Sequence, residues 1–346
     1  MPHYRLAFLG FGNVGRALAR LLERKRVTLK VHHDISFSVT GIATARHGFA
    51  VDPGGLDVTK ALGLWEIGKS LAPLSIFEVK DSLAVLHHSG ADVLFETSPV
   101  NYETGQPAFD HLRTALQIGM HGITANKGAV VHGYRELTAL AKTKGKHFLF
   151  EATVLGGTPL FSVFRECLPV ATLQSFRGII NSTTNVILTR MEEGGSFEEA
   201  VKYCQSIGIA ETDPSHDVDG WDAAIKVAAI ATVLMDVPIT AAEVERLGIR
   251  DITREMVERA ANQGQRWKLI ASAERQGDRV RARVAPELVD SSSPFYGLRG
   301  GSAGLEFRTD VLGDVGIMET DREGMAPGPE PTAYAMLADF VSAVRK

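Results

Sequence analysis

The residues best suited to chemistry lie in one short stretch, GIAETDPSHDVDGWDAAIKVAAIATVLM at positions 208–235. Its first half carries the carboxylates Glu211, Asp213, Asp217, Asp219 and Asp222. Its second half, Ala223 to Met235, is apolar nearly all round, as an interior helix is. One charge interrupts that helix, Lys226. A buried amine costs free energy unless it is paired. Asp222 stands four residues earlier, on the same helical face. Two readings are open. The ammonium can snorkel to the surface over its apolar stem, or amine and carboxylates form an acid/base pocket that takes a cationic substrate group.

A second candidate begins the chain. Tyr4 to Leu9 is a short apolar run fit for a buried strand. Gly10, Gly12 and Gly15 follow in GFGNVG, and Val14, Leu18, Leu21 and Leu22 then recur at helical spacing. Strand, GxGxxG and helix together form the dinucleotide fingerprint. The glycines permit a tight turn and close approach to a pyrophosphate, and the helix N-terminus supplies N–H donors. Taken alone, such a turn can be purely structural.

The next strand should carry the residue that reads the ribose. Asp34 has the spacing for a 2′-hydroxyl and NAD. The better strand, however, is Phe37 to Ala43, which leaves Asp34 in an inserted loop. That strand leads into Arg46 with no acid nearby, which favours a 2′-phosphate and NADP, with NAD as the alternative. Arg46 as a plain solvated charge is the competing reading.

The totals bound the rest. A chain of 346 residues suggests two domains. With 45% hydrophobic and 23% charged residues it is globular in composition. A net charge of −4 gives no sign of nucleic-acid binding. The two cysteines, Cys167 and Cys204, have no metal-site spacing and fit a reducing cytosol. The N-terminus lacks a signal-peptide pattern, and no apolar run reaches the roughly 18 residues of a membrane span.

Further elements follow in order. Ala91 to Glu96 reads as a strand, ending in Thr97 and Ser98, which either meet the cofactor or cap a turn. A helix is expected around Phe109 to Ile118. A strand then leads into Asn126 and Lys127, and Phe148 to Val154 reads as another strand. The turn LGGTP marks a domain boundary, and a helix should start near Pro159. Gly156 and Gly157 leave carbonyls open for a ligand or monovalent cation, or make a plain turn. Phe176 to Ile180 is strand-like, and NSTTN at 181–185 opens a helix with capping hydroxyls. Phe197 to Ile207 is an amphipathic helix. Asp236 to Asn262 reads as a charged surface helix, Trp267 to Ala273 and Val280 to Val284 as strands, and Asp290 to Gly304 as a loop. Thr332 to Val344 is a final amphipathic helix that returns to the first domain.

Several segments together resemble the homoserine dehydrogenases: GFGNVGRALARLL, ETSPVNYETGQP, GITANKG, EATVLGGTP, GIINSTTNVILTRM, the acidic stretch with its lysine, and PGPEPTAYAMLADFV. They stand in the family's order and span nearly the whole chain. The resemblance implies NAD(P)-dependent interconversion of L-homoserine and L-aspartate 4-semialdehyde, on the route to threonine and methionine. It makes Lys226 the acid/base amine at the reacting oxygen, Glu211 the carboxylate for the substrate ammonium, and Asp217 and Asp222 acids around substrate and lysine. Lys127 matches a lysine near nicotinamide and substrate, and Thr183 a substrate-contacting threonine. Gly12, Asn13, Val14, Gly15, Thr97, Ser98 and Gly328 match cofactor contacts. Glu151, Val154, Gly156 and Thr158 match a sodium site built largely of carbonyls.

The expected fold is therefore α/β: a Rossmann-type doubly wound sheet over 1–150, rejoined by 315–346, and an α+β domain for substrate binding and dimerisation over 151–314. A cytoplasmic homodimer is implied, acting on a small molecule with no membrane or nucleic-acid partner. No threonine feedback through an appended regulatory domain is expected. Ser182 and Ile209 depart from the Gly and Tyr frequent in the family, Ser302-Ala303-Gly304 lies where an Asn is common, and Ala326-Pro327-Gly328-Pro329 varies a glycine-rich loop. Two other functions stay open at this level: a dehydrogenase of another small amino or hydroxy acid, and a nucleotide-binding sensor without turnover.

Overall fold

The structure, a computed structural model, describes residues 1–321 and 328–345. They form two units, residues 1–159 with 329–346, and residues 160–328.

The first unit contains β1 (His3–Leu9), α1 (Asn13–His33), β2 (Ser36–Ala43), β3 (Phe49–Val51), α2 (Val58–Glu66), α3 (Ser82–Ser89), β4 (Val93–Glu96), α4 (Ala108–Gln117), β5 (His121–Thr124), α5 (Lys127–Lys144) and β6 (Phe148–Leu149). The sheet order is β3-β2-β1-β4-β5-β6. β2, β1, β4, β5 and β6 run parallel, and β3 pairs antiparallel with β2. The strands are short apolar runs because helices cover both faces of such a sheet. The chain leaves β1 for β2 on one side and reaches β4 on the other. That reversal makes the switch point where open α/β sheets take ligands, at the carboxyl ends of β1 and β4.

The second unit contains β7 (Leu173–Ile179), α6 (Ser182–Glu192), α7 (Phe197–Ser206), α8 (Ser215–Val218), α9 (Trp221–Leu234), β8 (Glu245–Arg246), α10 (Arg254–Asn262), β9 (Arg266–Gln276), β10 (Arg279–Val289), β11 (Ala303–Thr309) and β12 (Gly313–Glu319). The sheet order is β12-β11-β7-β9-β10-β8. Its pairs are antiparallel except β8 with β10. α9 packs on β9 and β10, so its apolar faces are enclosed. The opposite face of this sheet carries charge, with Arg177 and Arg283 each paired to Glu287 at 3.3 and 3.2 Å. The last helix, α11 (Glu330–Val344), lies in the first unit and packs on α1. Phe340 sits there edge-on to Tyr4 and Phe95.

The two seams fall after Pro159 and Gly328, later in the chain than 150/151 and 314/315. The 3-10 turn Glu151–Thr153 packs on α11, and β12 is bonded to β11, so each stays with its own unit. Several element expectations are corrected. α1 runs on to His33, and Asp34 is its left-handed cap (φ 56°), donating its N–H to Leu29, not part of a loop. The Phe148–Val154 strand stops at Leu149, and after Phe150 that 3-10 turn takes over. The helix near Pro159 is only a short turn ending in a π segment at Val163–Cys167. Between 236 and 262 only α10 is an α-helix. The rest is a 3-10 turn, β8 and loop, anchored by buried Ala241, Val244, Ile249 and Ile252. β11 and β12 occupy the end of the expected loop and residues beyond it.

Candidate active site

β7 ends at Ile179, and the chain turns through Ile180 and Asn181 into α6. The Lys226 ammonium, on the second turn of α9, donates to the Ile180 carbonyl at 2.7 Å and to Asp222 Oδ2 at 2.8 Å. Both side chains are 14% exposed, so the amine is neither sealed in the core nor out in bulk water. The i,i+4 spacing read from the sequence is the geometry that joins them. Asn181 donates from its amide nitrogen to Asp217 Oδ1 at 2.7 Å and to Asp222 Oδ2 at 2.9 Å. The Asp217 carboxyl is held above its ordinary range, first by burial and then by the Asp222 charge. Asn181, Lys226 and Thr183 oppose that shift. Thr183, at the start of α6, also donates to the Ile209 carbonyl at 3.2 Å.

Of the five acids, Asp222 bonds the amine and Asp217 joins it through Asn181. Asp213 caps the turn at Ser215, and Asp219 pairs with Arg250. Glu211 is exposed, two residues from the carbonyl that Thr183 holds. Asn181 escaped the sequence reading, which assigned the cap of α6 to hydroxyls. Its side-chain oxygen accepts the Thr184 N–H at 2.8 Å and is the cap. An Asn placed just ahead of Ser-Thr-Thr was the available signal.

In the first unit the glycine turn divides its work. A Cβ on Gly10 (φ +93°) would lie 2.4 Å from the Thr97 carbonyl carbon, and one on Gly15 would lie 2.5 Å from the Gly10 oxygen. Both are required by packing within the protein. A Cβ on Gly12 would meet nothing within 4 Å, so that glycine leaves room for a ligand. α1 starts there with no side-chain cap, as an anion site needs. Asn13 and Val14 occupy its first turn. The Asn13 side chain accepts from Arg16, whose guanidinium lies 3.3 Å from the centre of the Trp65 ring. The turn thus fits a dinucleotide phosphate.

Thr97 and Ser98 follow β4, but their hydroxyls face the protein. Thr97 donates to the Gly10 carbonyl at 2.7 Å, and Ser98 donates to the buried Glu96 carboxylate. Glu96, fully buried, also accepts from Thr124 at 2.9 Å and lies 3.5 Å from His111. Lys127 begins α5 and is half-buried, next to the Asn126 cap. Arg46 is exposed just past β2, and Gly328 is exposed at the seam. Ala326 and Pro327 of its loop lie outside the described residues. Glu151, Val154 and Thr158 are buried, and Gly156 is left-handed (φ 58°).

Comparison with known proteins agrees across the chain. Residues 159–341 match the family model described as homoserine dehydrogenase, and residues 10–151 match its NAD-binding domain. The chain is 34% identical to the NAD(+)-dependent homoserine dehydrogenase of Pseudomonas canavaninivorans, covering 100% of this chain and 99% of that one. It is 36% identical to a homoserine dehydrogenase of Methanocaldococcus jannaschii, covering 97% of each. Its fold matches a hyperthermophilic archaeal homoserine dehydrogenase mutant in complex with NADPH, with a TM-score of 0.80 at 28% identity, covering 99% and 98% of the two chains. With a phosphate-ready glycine turn in one unit and an amine–carboxylate cluster in the other, the chain belongs to the homoserine dehydrogenase family of NAD(P)-dependent oxidoreductases acting on a CH–OH group.

Proposed function

We propose that Lys226 is the acid/base group in the interconversion of L-homoserine and L-aspartate 4-semialdehyde. The observation that carries this reading is the ammonium bonded to Asp222 and to the Ile180 carbonyl beside the raised Asp217 carboxyl. Bound NAD(P) supplies the hydride acceptor or donor. As a neutral amine Lys226 takes the hydroxyl proton during oxidation, and as an ammonium it gives one to the aldehyde oxygen during reduction. Asp222 holds the amine in place and balances its charge. Asp217 and Glu211 would meet the substrate ammonium beside Thr183, and the family resemblance makes Lys127 the positive charge a zwitterion also needs.

Gly10, Gly12, Asn13, Val14 and Gly15 would hold the pyrophosphate, with Thr97, Ser98, Lys127 and Gly328 around the rest of the dinucleotide. Arg46, exposed past β2 with no acid beside it, would favour the 2′-phosphate of NADP; a relative named as NAD(+)-dependent keeps NAD as the alternative. Glu151 with the backbone at Val154, Gly156 and Thr158 is an all-oxygen donor set of the kind hard cations take. The residues fit a sodium ion, which would brace the turn beside α11. Family resemblance supports a cytoplasmic homodimer. The two free thiols agree with a reducing compartment, and no helix among the described residues is long and apolar enough to cross a membrane.

The test is a panel of small amino and hydroxy acids assayed at 340 nm with each cofactor. Homoserine should be the best substrate, and NADP the better cofactor. A faster reaction with another acid would assign the pocket around Ser182 and Ile209 to that substrate. Cofactor binding without any turnover would make the chain a sensor.

A further inference from the structure

The junction between β7 and α6 holds more of the site together than a helix start requires. Ile180 gives its carbonyl to Lys226 at 2.7 Å. The next side chain, Asn181, is 4% exposed and fully committed. Its oxygen accepts from the Thr184 N–H at 2.8 Å and from the Thr184 hydroxyl at 2.9 Å. A backbone N–H can only donate, so the amide nitrogen must face the other way. There its two hydrogens meet two carboxylates from two different helices, Asp217 at 2.7 Å on α8 and Asp222 at 2.9 Å on α9. The Asp222 oxygen it touches is the one that accepts from Lys226. A planar amide has its N–H directions fixed. Anchored by the α6 cap, this one can dictate where two mutually repelling carboxylates sit.

We propose that Asn181 is a positioning residue for the reaction: its single amide spaces the Asp217 and Asp222 carboxylates and, through Asp222, aims the Lys226 amine. The inference rests on the reading of Lys226 as the acid/base group. Asn181 needs no contact with substrate to play this part. Its oxygen and both of its hydrogens are already engaged within the protein.

The test is a double-mutant cycle in the full-length enzyme. Asn181→Ser keeps a side-chain oxygen for the α6 cap but removes both N–H donors. It should lower kcat/KM for homoserine roughly 10–100-fold, the range seen when a group that orients a contacting ligand is lost. The cofactor KM should hold. In an Asp222→Asn background the same change should add little, because most of its effect passes through Asp222. Losses that multiply in full would overturn the proposal, as would an Asn181→Ser enzyme with wild-type kcat/KM. Asn181→Thr likewise keeps a cap oxygen without the N–H donors and provides the same cycle if the serine variant does not fold. Lys226→Ala is run alongside. If it retains turnover, the acid/base reading fails and this inference goes with it. If it loses turnover while Asn181→Ser does not, only the inference about Asn181 fails.

Discussion

The second unit contains two enclosed lysines, and they differ in what surrounds them. Lys226 on α9 is 14% exposed and bonded to a carboxylate, which is itself tied to a second carboxylate through Asn181. Lys268 on β9 is 0% exposed, and its ammonium bonds to two neutral oxygens, Asn185 Oδ1 at 2.9 Å and the Leu298 carbonyl at 2.6 Å. Burial pushes the Lys268 amine down to about 8, opposed by Glu192 and reinforced by Arg266 and Arg299. Asn185 also donates to the carbonyls of Leu298, Gly300 and Ser302. Lys268 therefore fastens a loop to the sheet and has no access for a substrate. Depth of burial and a perturbed pKa do not by themselves single out an amine for chemistry; a charged partner and a remaining path to solvent are what favour the proposed role of Lys226.

The contrast can be broken most forcefully by Lys268→Ala. It leaves the buried Asn185 oxygen without its donor, takes one of two donors from the Leu298 carbonyl and opens a cavity, so it should cost about 3–5 kcal/mol of stability in a denaturant titration. The residual folded enzyme should keep turnover within a few-fold. A large loss of kcat at full stability would give Lys268 a share of the chemistry.

The pH dependence sharpens the same point. Lys268 loses its proton at about 8 in the folded chain but keeps it to about 10.5 when unfolded. Between those values the unfolded state binds more protons, so this group's contribution to stability rises with pH, by at most about 1.4 kcal/mol per unit. Cys204, raised to about 11 by burial, works the opposite way above its ordinary 9. The term is therefore isolated as the difference between wild type and Lys268→Met, which should grow in favour of wild type from pH 8 to 10. A flat difference would contradict it.

Smaller effects are expected where the partner, not the amine, is changed. Asp222→Asn removes the charge opposite Lys226 and should lower kcat roughly 10–100-fold, with α9 intact. A third cation completes the series. Arg46 is exposed, so Arg46→Ala should leave folding alone and weaken NADP about 10-fold more than NAD. Equal loss for both cofactors would remove it from the 2′-phosphate.

The contrast between the lysines also explains what the sequence could convey. Lys226 stood out because it is the lone charge in an apolar helix, and its partner lies one turn away, both local facts. Lys268 sits in WKLIASA, where strand alternation permits an exposed lysine. It is buried by the loop ending near Ser302, some 30 residues on, and no local pattern records that. The glycine turn was legible for the same reason as Lys226, since strand, turn and helix are contiguous. The second half of α1 was not, because Val27 and Val31 are exposed and break the apolar period. β12 alternates too weakly to announce itself, and most of its residues are exposed. Glu211 shows what the local pattern does not convey. Family resemblance gives it a role, yet it stands on an exposed turn outside the hydrogen-bonded cluster.

The most direct test of the central claim is the turnover of Lys226→Ala with saturating homoserine and NADP, measured beside its thermal unfolding. The account predicts a kcat lower by about 10²–10⁴-fold with a melting temperature within a few degrees of wild type. Near-normal turnover in a folded variant would contradict it.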